Sequence, residues 1–383
     1  MKYPNRTFRP LASRRGQAGF TLVELLVVIV IIAILMALLI PAVMGAIRGA
    51  NDAQVGSEIN ALGQALASFK NEYGDYPPSR IMLSESGYYP VGDTTLLTAV
   101  TWSGNQTTQL GSATAGEITV GQLAERSLRM MRKFFPRAAF TTTAPATPTL
   151  VYDFNNSLNV SPPITTPEFI YLSGDECLVF FLGGIPLNTN PNGVHGFNRL
   201  PTNPFLTQPN GNYKETFFDF KPERFQDLDG DGMLSYIDIL GKPGSGVPYA
   251  YFSTNLNGNG AYDANDCNFG GILPTSESLA PTFRQFGHVR NTSNNILTSV
   301  FPNPYTTTDT ISSANITTAP QYSNPQTYQI ISAGRDQAYG VGGRFDRNNT
   351  STPFPEATPA LSQSRLETEG DNIVNFANGP LNN

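Results

Sequence analysis

Gly19-Phe20-Thr21-Leu22-Val23-Glu24, followed by an unbroken apolar run from Leu25 to Ile40, is the stretch that decides how this chain is built. Phe20 to Ile40 is 21 residues, and at about 1.5 Å per helical residue that length matches the roughly 30 Å of a bilayer core. Upstream lie Lys2, Arg6, Arg9, Arg14 and Arg15 with no acid among residues 1–19. Such a flank stays on the cytoplasmic side, so the rest of the chain is expected to emerge on the other side of a single-pass helix. A cleaved secretory signal, with Ala42 or Ala46 near its cut, suits the stretch less well. Its apolar run is too long, and it contains Glu24. A carboxylate within lipid costs about 2.5–3.5 kcal/mol at mid-helix and less near an end, so it needs a use and a partner. If the chain is cut after Gly19, the new α-amine of Phe20 sits one helical turn from Glu24. On this chain or a neighbour, that amine is the natural counter-ion.

The 383 residues include 24 Lys and Arg, 30 Asp and Glu, two His and two Cys, for a net charge of −6. An acidic chain of this kind lacks the basic surface that nucleic acid requires. Two cysteines allow one bridge at most. Losing residues 1–19 would leave 19 basic against 30 acidic side chains, a net of −11. No G-x-S-x-G elbow, Walker A loop, dinucleotide fingerprint, CxxC pair or HExxH helix occurs, and His195 and His288 belong to no motif. No enzymatic activity is therefore expected.

The stretch Gly19 to Glu24 with its apolar helix and Pro41 resembles the prepilin signal of type IV pilins and type II secretion pseudopilins. That resemblance implies cleavage after Gly19 by a prepilin peptidase and methylation of Phe20. It also implies a role for Glu24, at mature position five, in docking each subunit onto a filament, and for Pro41 as a helix-bending residue. The implied location is the bacterial inner membrane, with the carboxy-terminal part in the periplasm. The implied partners are copies of itself, other pseudopilins and the inner-membrane secretion platform.

Beyond the apolar run, Val55, Ile59, Leu62, Leu66, Phe69 and Tyr73 recur every three or four residues. This predicts one helix over 20–73 with an apolar stripe on its second half, and Glu58, Asn60, Gln64 and Lys70 facing elsewhere. Gly45, Gly49 and Gly56 each weaken helix by about 1 kcal/mol relative to Ala, so a bend or melted segment is expected between the halves. Gly74-Asp75-Tyr76-Pro77-Pro78 ends it. Residues 74–210 read as a large mixed insertion that widens the head, with short helices over Gln122–Phe135 and Gly174–Leu182. Residues 211–383 carry strand signals at Tyr249–Ser253, Thr298–Phe301 and Tyr328–Ser332, then a Pro/Ser/Thr-rich loop to Gly370 and a last element at Asp371–Phe376. The expected class is α+β, a long amino-terminal helix packed on an antiparallel sheet.

Asp227-Leu-Asp229-Gly-Asp231-Gly232-Met233-Leu-Ser235-Tyr-Ile-Asp238 has the spacing of an EF-hand-like loop. Asp227, Asp229 and Asp231, the Met233 carbonyl, Ser235 and a closing Asp238 would supply the six or seven oxygens of Ca²⁺. The competing reading is an Asp/Gly-rich turn without an ion. Asn255-Leu-Asn257-Gly-Asn259-Gly260 repeats the spacing with amides and reads as a turn. Ser332-Ala-Gly334-Arg-Asp336-Gln337 is similar to the carboxy-terminal loop of the major type II secretion pseudopilin, the G component. That likeness implies a calcium held by Asp336, with Asp371 and Asn372 standing for the acidic tail. Gln337 replaces the family's glycine, and a Gly-rich hairpin turn is the plain alternative. Cys177 and Cys267 either pair outside the cytoplasm or leave Cys177 as a buried thiol.

Overall fold

The computed structural model describes residues 21–94, 120–156, 158, 168–187, 193–207, 211–228, 230–241, 246–254, 262, 304–307, 321–340, 342–349, 351–355, 359–377 and 379–382. They divide into two compact units, residues 1–50 and 51–383.

Helix α1 runs over Leu22–Tyr73 as one element with Pro41 inside it. The expected melted segment is absent: Gly45, Gly49 and Gly56 all lie within the helix. A few glycines, at about 1 kcal/mol each, do not outweigh the long helical runs around them. In the first unit the helix is apolar on every side, and its side chains from Leu22 to Ile47 are exposed. Its most apolar 18 residues have a mean hydropathy of 3.3, long and apolar enough to cross a membrane.

In the second unit the same helix buries Val55, Ile59, Leu62, Ala65, Leu66 and Phe69. Phe69 sits in an aromatic cage, with ring centroids 5.2 Å from Phe134, 5.7 Å from Phe181 and 5.4 Å from Phe217. Those partners come from α2 (Val120–Phe134), from α3 (Gly174–Gly183) and from a loop. Strands β1 (Ile81–Ser84) and β2 (Phe169–Leu172) pair antiparallel between them. Every residue of α3 is buried, as its apolar sequence requires. Strands β3 (Ile185–Leu187) and β4 (Gly193–His195) form a further antiparallel pair after it. The buried side chains of the 74–210 segment thus share one core with the α1 stripe rather than enclosing a core of their own.

The carboxy-terminal region adds the antiparallel hairpin β5 (Phe225–Gln226) and β6 (Ser235–Tyr236), then β7 (Ala250–Ser253). Next come β8 (Tyr305–Thr306), β9 (Tyr328–Ser332) and β10 (Gly343–Arg344), with β10 parallel to β8. Helix α4 (Pro359–Glu369) and β11 (Ile373–Val374) complete the chain. Strands β7, β9 and β11 make a three-stranded antiparallel sheet with β9 central. Alternation along these strands sends Tyr249, Tyr251, Ile330 and Ile373 into the core shared with α1. Ala250, Phe252, Ile331 and Val374 face a second, smaller core on the other side. The α+β class and the helix-on-sheet packing are as expected. Part of the expected loop before Gly370 is instead α4, held by the buried Arg365, which bonds Glu369 at 2.7 Å and the carbonyl of Gly342 at 2.7 Å. The expected strand Thr298–Phe301 lies outside the described residues.

Candidate functional site: the amino-terminal signal and the carboxylate loops

Gly19 and Phe20 lie outside the described residues, and the first described turn begins directly after them. The Thr21 amide and the Thr21 hydroxyl both donate to Glu24 Oε2 at 2.8 Å, and the Glu24 amide donates to Thr21 Oγ1 at 3.2 Å. This is a reciprocal capping box at the start of α1. Its T-x-x-E pattern is present in the sequence, and treating Glu24 as a docking acid alone passes over it. Oε1 takes no bond from any described residue, so the carboxylate still has an oxygen for an incoming ammonium. Seventeen residues on, Pro41 has no amide to give the carbonyl one turn earlier.

The 227–238 loop is built differently from a closed cation ring. β5 and β6 pair Phe225 with Tyr236 and Gln226 with Ser235, so residues 227–234 are the connection of a hairpin. Asp227 folds over that connection, accepting the Gly230 amide at 2.7 Å and the Gly232 amide at 3.1 Å. Gly232 takes φ +87°, in the left-handed region that favours glycine. Asp231 Oδ1 accepts the Met233 amide at 2.8 Å, and its carbonyl takes the Asn155 side-chain amide at 2.9 Å.

Ser235 and Asp238, predicted as ring donors, point away. Strand pairing commits Ser235 to the interior, where its hydroxyl bonds the Asp175 carboxylate at the start of α3. Asp238 is fully buried and accepts the Ser332 hydroxyl of β9 and the Leu240 amide. Burial pushes the Asp238 carboxyl up to about 6. The Met233 side chain is buried, and Asp229 lies outside the described residues. Among the described residues no group of three or more His, Cys, Asp or Glu converges as a metal cage.

The second predicted pair does come together, although residues 344–370 separate its halves in sequence. Asp371 Oδ2 accepts the Arg335 amide at 2.8 Å and the Asp336 amide at 3.3 Å. Gly334 has φ +67°, and a Cβ there would lie 2.5 Å from the Asp371 carbonyl oxygen, so no other residue fits. Burial, reinforced by Asp371, raises the Asp336 carboxyl to about 6. Arg335 stands 3.7 Å from Asp371 and 3.6 Å from Asp52 of α1. A resident guanidinium therefore already faces the carboxylates that were predicted to hold calcium. Gln337 has φ +60°, in the left-handed region that glycine favours. Its side chain holds that conformation by bonding the Gly334 carbonyl at 2.7 Å and the Val247 amide at 3.1 Å. Asn372 does not join Asp371. Its amide is buried against the Tyr305 hydroxyl and the Tyr339 carbonyl.

Two charged groups carry no signal in the sequence. Glu58 was assigned to an outward face, yet its carboxylate meets Arg224 at 2.6 and 2.9 Å in a bidentate pair, each side chain 11% exposed. The Tyr249 hydroxyl adds a bond of 2.6 Å, and Arg224 stacks 4.1 Å from the Tyr236 ring centre. The residues are 166 apart in sequence, a pairing no local pattern reveals. Glu85 is buried, its Oε2 accepting the Glu168 amide at 3.0 Å and its Oε1 without a partner among the described residues. Burial, with Asp153 and Glu168 nearby, raises its carboxyl to about 7. Cys177 is buried in α3, its Sγ 3.8 Å from the Leu172 carbonyl oxygen, while Cys267, like the Asn255–Asn259 turn, lies outside the described residues. His195 is half-buried against Tyr213, which lowers its basicity.

Residues 14–40 match the family model described as the prokaryotic N-terminal methylation motif, the signal of type IV pilins and pseudopilins. The amino-terminal segment thus carries the type IV pilin-like signal, a motif that implies prepilin peptidase processing and membrane anchoring. No curated protein and no solved structure matches the chain.

Proposed function

We propose that this chain is a structural subunit of a type II secretion pseudopilus. It is cut after Gly19, methylated at Phe20, and drawn from the bacterial inner membrane into a filament that drives protein export. The observation that carries this reading is Glu24 at mature position five of a helix whose first half is apolar on every side. In a filament the apolar flanks of neighbouring helices replace lipid, and Glu24 Oε1 meets the Phe20 ammonium of an adjacent subunit. A simple tether could use Glu24 as a cap through Oε2, but has no use for the charged oxygen left over. The likeness of Ser332–Asp336 to the G component supports secretion over a surface fibre.

Calcium enters this reading in reduced form. With Ser235 and Asp238 committed elsewhere, the cation would be held by Asp227, Asp229 and Asp231 on the β5–β6 connection, with water completing the shell. There it would stiffen a surface hairpin of the head. Asp336 and Asp371 fit a cation less well, because Arg335 already balances them.

The test is deletion of the gene in its host, followed by complementation. Loss of exported proteins from the medium without loss of surface fibres supports the pseudopilus. Loss of sheared surface fibres with export intact assigns the chain to a surface pilus for adhesion or motility.

A further inference from the structure

We propose that the cleft beside the carboxy-terminal end of α2 binds a small carboxylic acid carrying an apolar, aromatic-sized body. The cleft has a volume of about 250 Å³ and lies wholly within the second unit. Its floor is made by Phe134, Phe135 and Phe197, all buried. Phe135 packs edge-on against Phe197 at 5.0 Å and against Phe205 at 4.8 Å, so the floor is set before any ligand arrives. Three cations, Arg137, Arg199 and Lys214, line the same cleft in a chain whose net charge is −6.

These cations are not equivalent. Lys214 is committed, bonded to Glu72 at 2.5 Å and to the Tyr73 hydroxyl at 3.2 Å. Among the described residues the Arg199 side chain bonds only through its Nε, to the Tyr213 carbonyl at 3.1 Å. Arg137 bonds no described residue. Two exposed guanidinium groups with donors to spare thus border an apolar floor, in a chain that is otherwise rich in acid. A planar fork of donors suits a carboxylate, which it binds in two parallel bonds. The aromatic floor suits a flat or branched apolar body. The cleft is smaller than the range usual for drug-sized ligands, so the body is limited to about one ring.

The proposal is independent of filament assembly. It is tested by fluorine NMR of 4-fluorophenylacetate added to the full-length chain in an uncharged detergent. Saturable binding is expected, weakened about tenfold by Arg137→Ala and again by Arg199→Ala, each loss matching one charge-assisted contact. Both side chains are exposed, so folding is expected to persist, and unchanged thermal melting of each variant confirms it. The neutral 4-fluorophenylacetamide is expected to bind at least tenfold more weakly than the acid. Equal binding of acid and amide, or wild-type affinity in the double variant, would overturn the assignment. Tighter binding of a phenylalanine-terminated peptide than of the free acid, abolished by amidating its terminus, would likewise replace the small acid with a peptide end.

Discussion

The two halves of α1 share one secondary structure and face opposite surroundings. From Leu22 to Ile47 apolar side chains point in every direction and stay exposed, whereas from Val55 to Phe69 a single stripe is buried in the head. Helical periodicity therefore does not tell where a helix lives. The distribution of apolar residues around the axis does, all round for lipid or packed neighbours and one-sided for a globular core. Polar groups obey the same division. Glu24 is held by a local cap and keeps an oxygen in reserve, while Glu58 is enclosed by Arg224, Tyr236 and Tyr249.

The largest effect separates the halves outright. Gly19→Leu is expected to abolish processing, leaving only precursor on a gel, while the head melts as in wild type. A mature-sized product from that variant would show that the signal is read elsewhere. Next comes Glu24. Glu24→Gln keeps the capping box, since glutamine serves equally at that position, but removes the charge. If pairing with a neighbour's ammonium is what Glu24 does, Glu24→Gln is cleaved normally yet enters filaments as poorly as Glu24→Ala. Normal assembly of the Gln variant would reduce Glu24 to a cap.

In the buried half, Arg224→Ala leaves the Glu58 carboxylate without its counter-ion and is expected to cost about 3–5 kcal/mol in denaturant unfolding. Leu38→Ala, on the exposed half, is expected to leave head unfolding unchanged. Similar losses from the two variants would erase the contrast between the halves.

A smaller effect concerns pH. The Glu85 carboxyl is raised to about 7 in the folded chain, so the native state holds a proton that the unfolded chain releases nearer 4.5. Stability should then fall as pH rises from about 4.5 to about 7, and level off above. Glu85→Gln is expected to flatten that slope and to stabilise the head at pH 8, read from melting curves across pH. An unaltered slope would place the proton on another group. The smallest effect is at the hairpin connection. Asp227→Ala with Asp231→Ala is expected to lower head stability by about 1 kcal/mol and to remove any calcium-induced rise in melting temperature. A full calcium response in that variant would move the ion elsewhere.

How much the sequence disclosed depends on the reach of each interaction. The apolar run, the α1 stripe, the buried helix α3 and the strand β9 are local patterns, and all were readable. The hairpin that takes Ser235 and Asp238 out of the predicted ring was not. The motif spacing fixes neighbours along the chain, whereas the burial of Ser235 depends on Asp175 and that of Asp238 on Ser332, 94 residues away. Helix α4 was missed for the same reason. Its hydrophobic pattern is weak, and a buried Arg365–Glu369 pair tied to Gly342 and Arg344 replaces an apolar face. The Asp336–Asp371 encounter was expected only through a family likeness, and the Arg335 and Asp52 side chains beside it carried no local signal.

Mass spectrometry of the amino terminus of the protein isolated from its host tests the central claim most directly. The expected result is a chain that begins with N-methylated Phe20 and lacks residues 1–19. A chain beginning at Met1, or cut beyond the apolar run near Ala42 or Ala46, would contradict it.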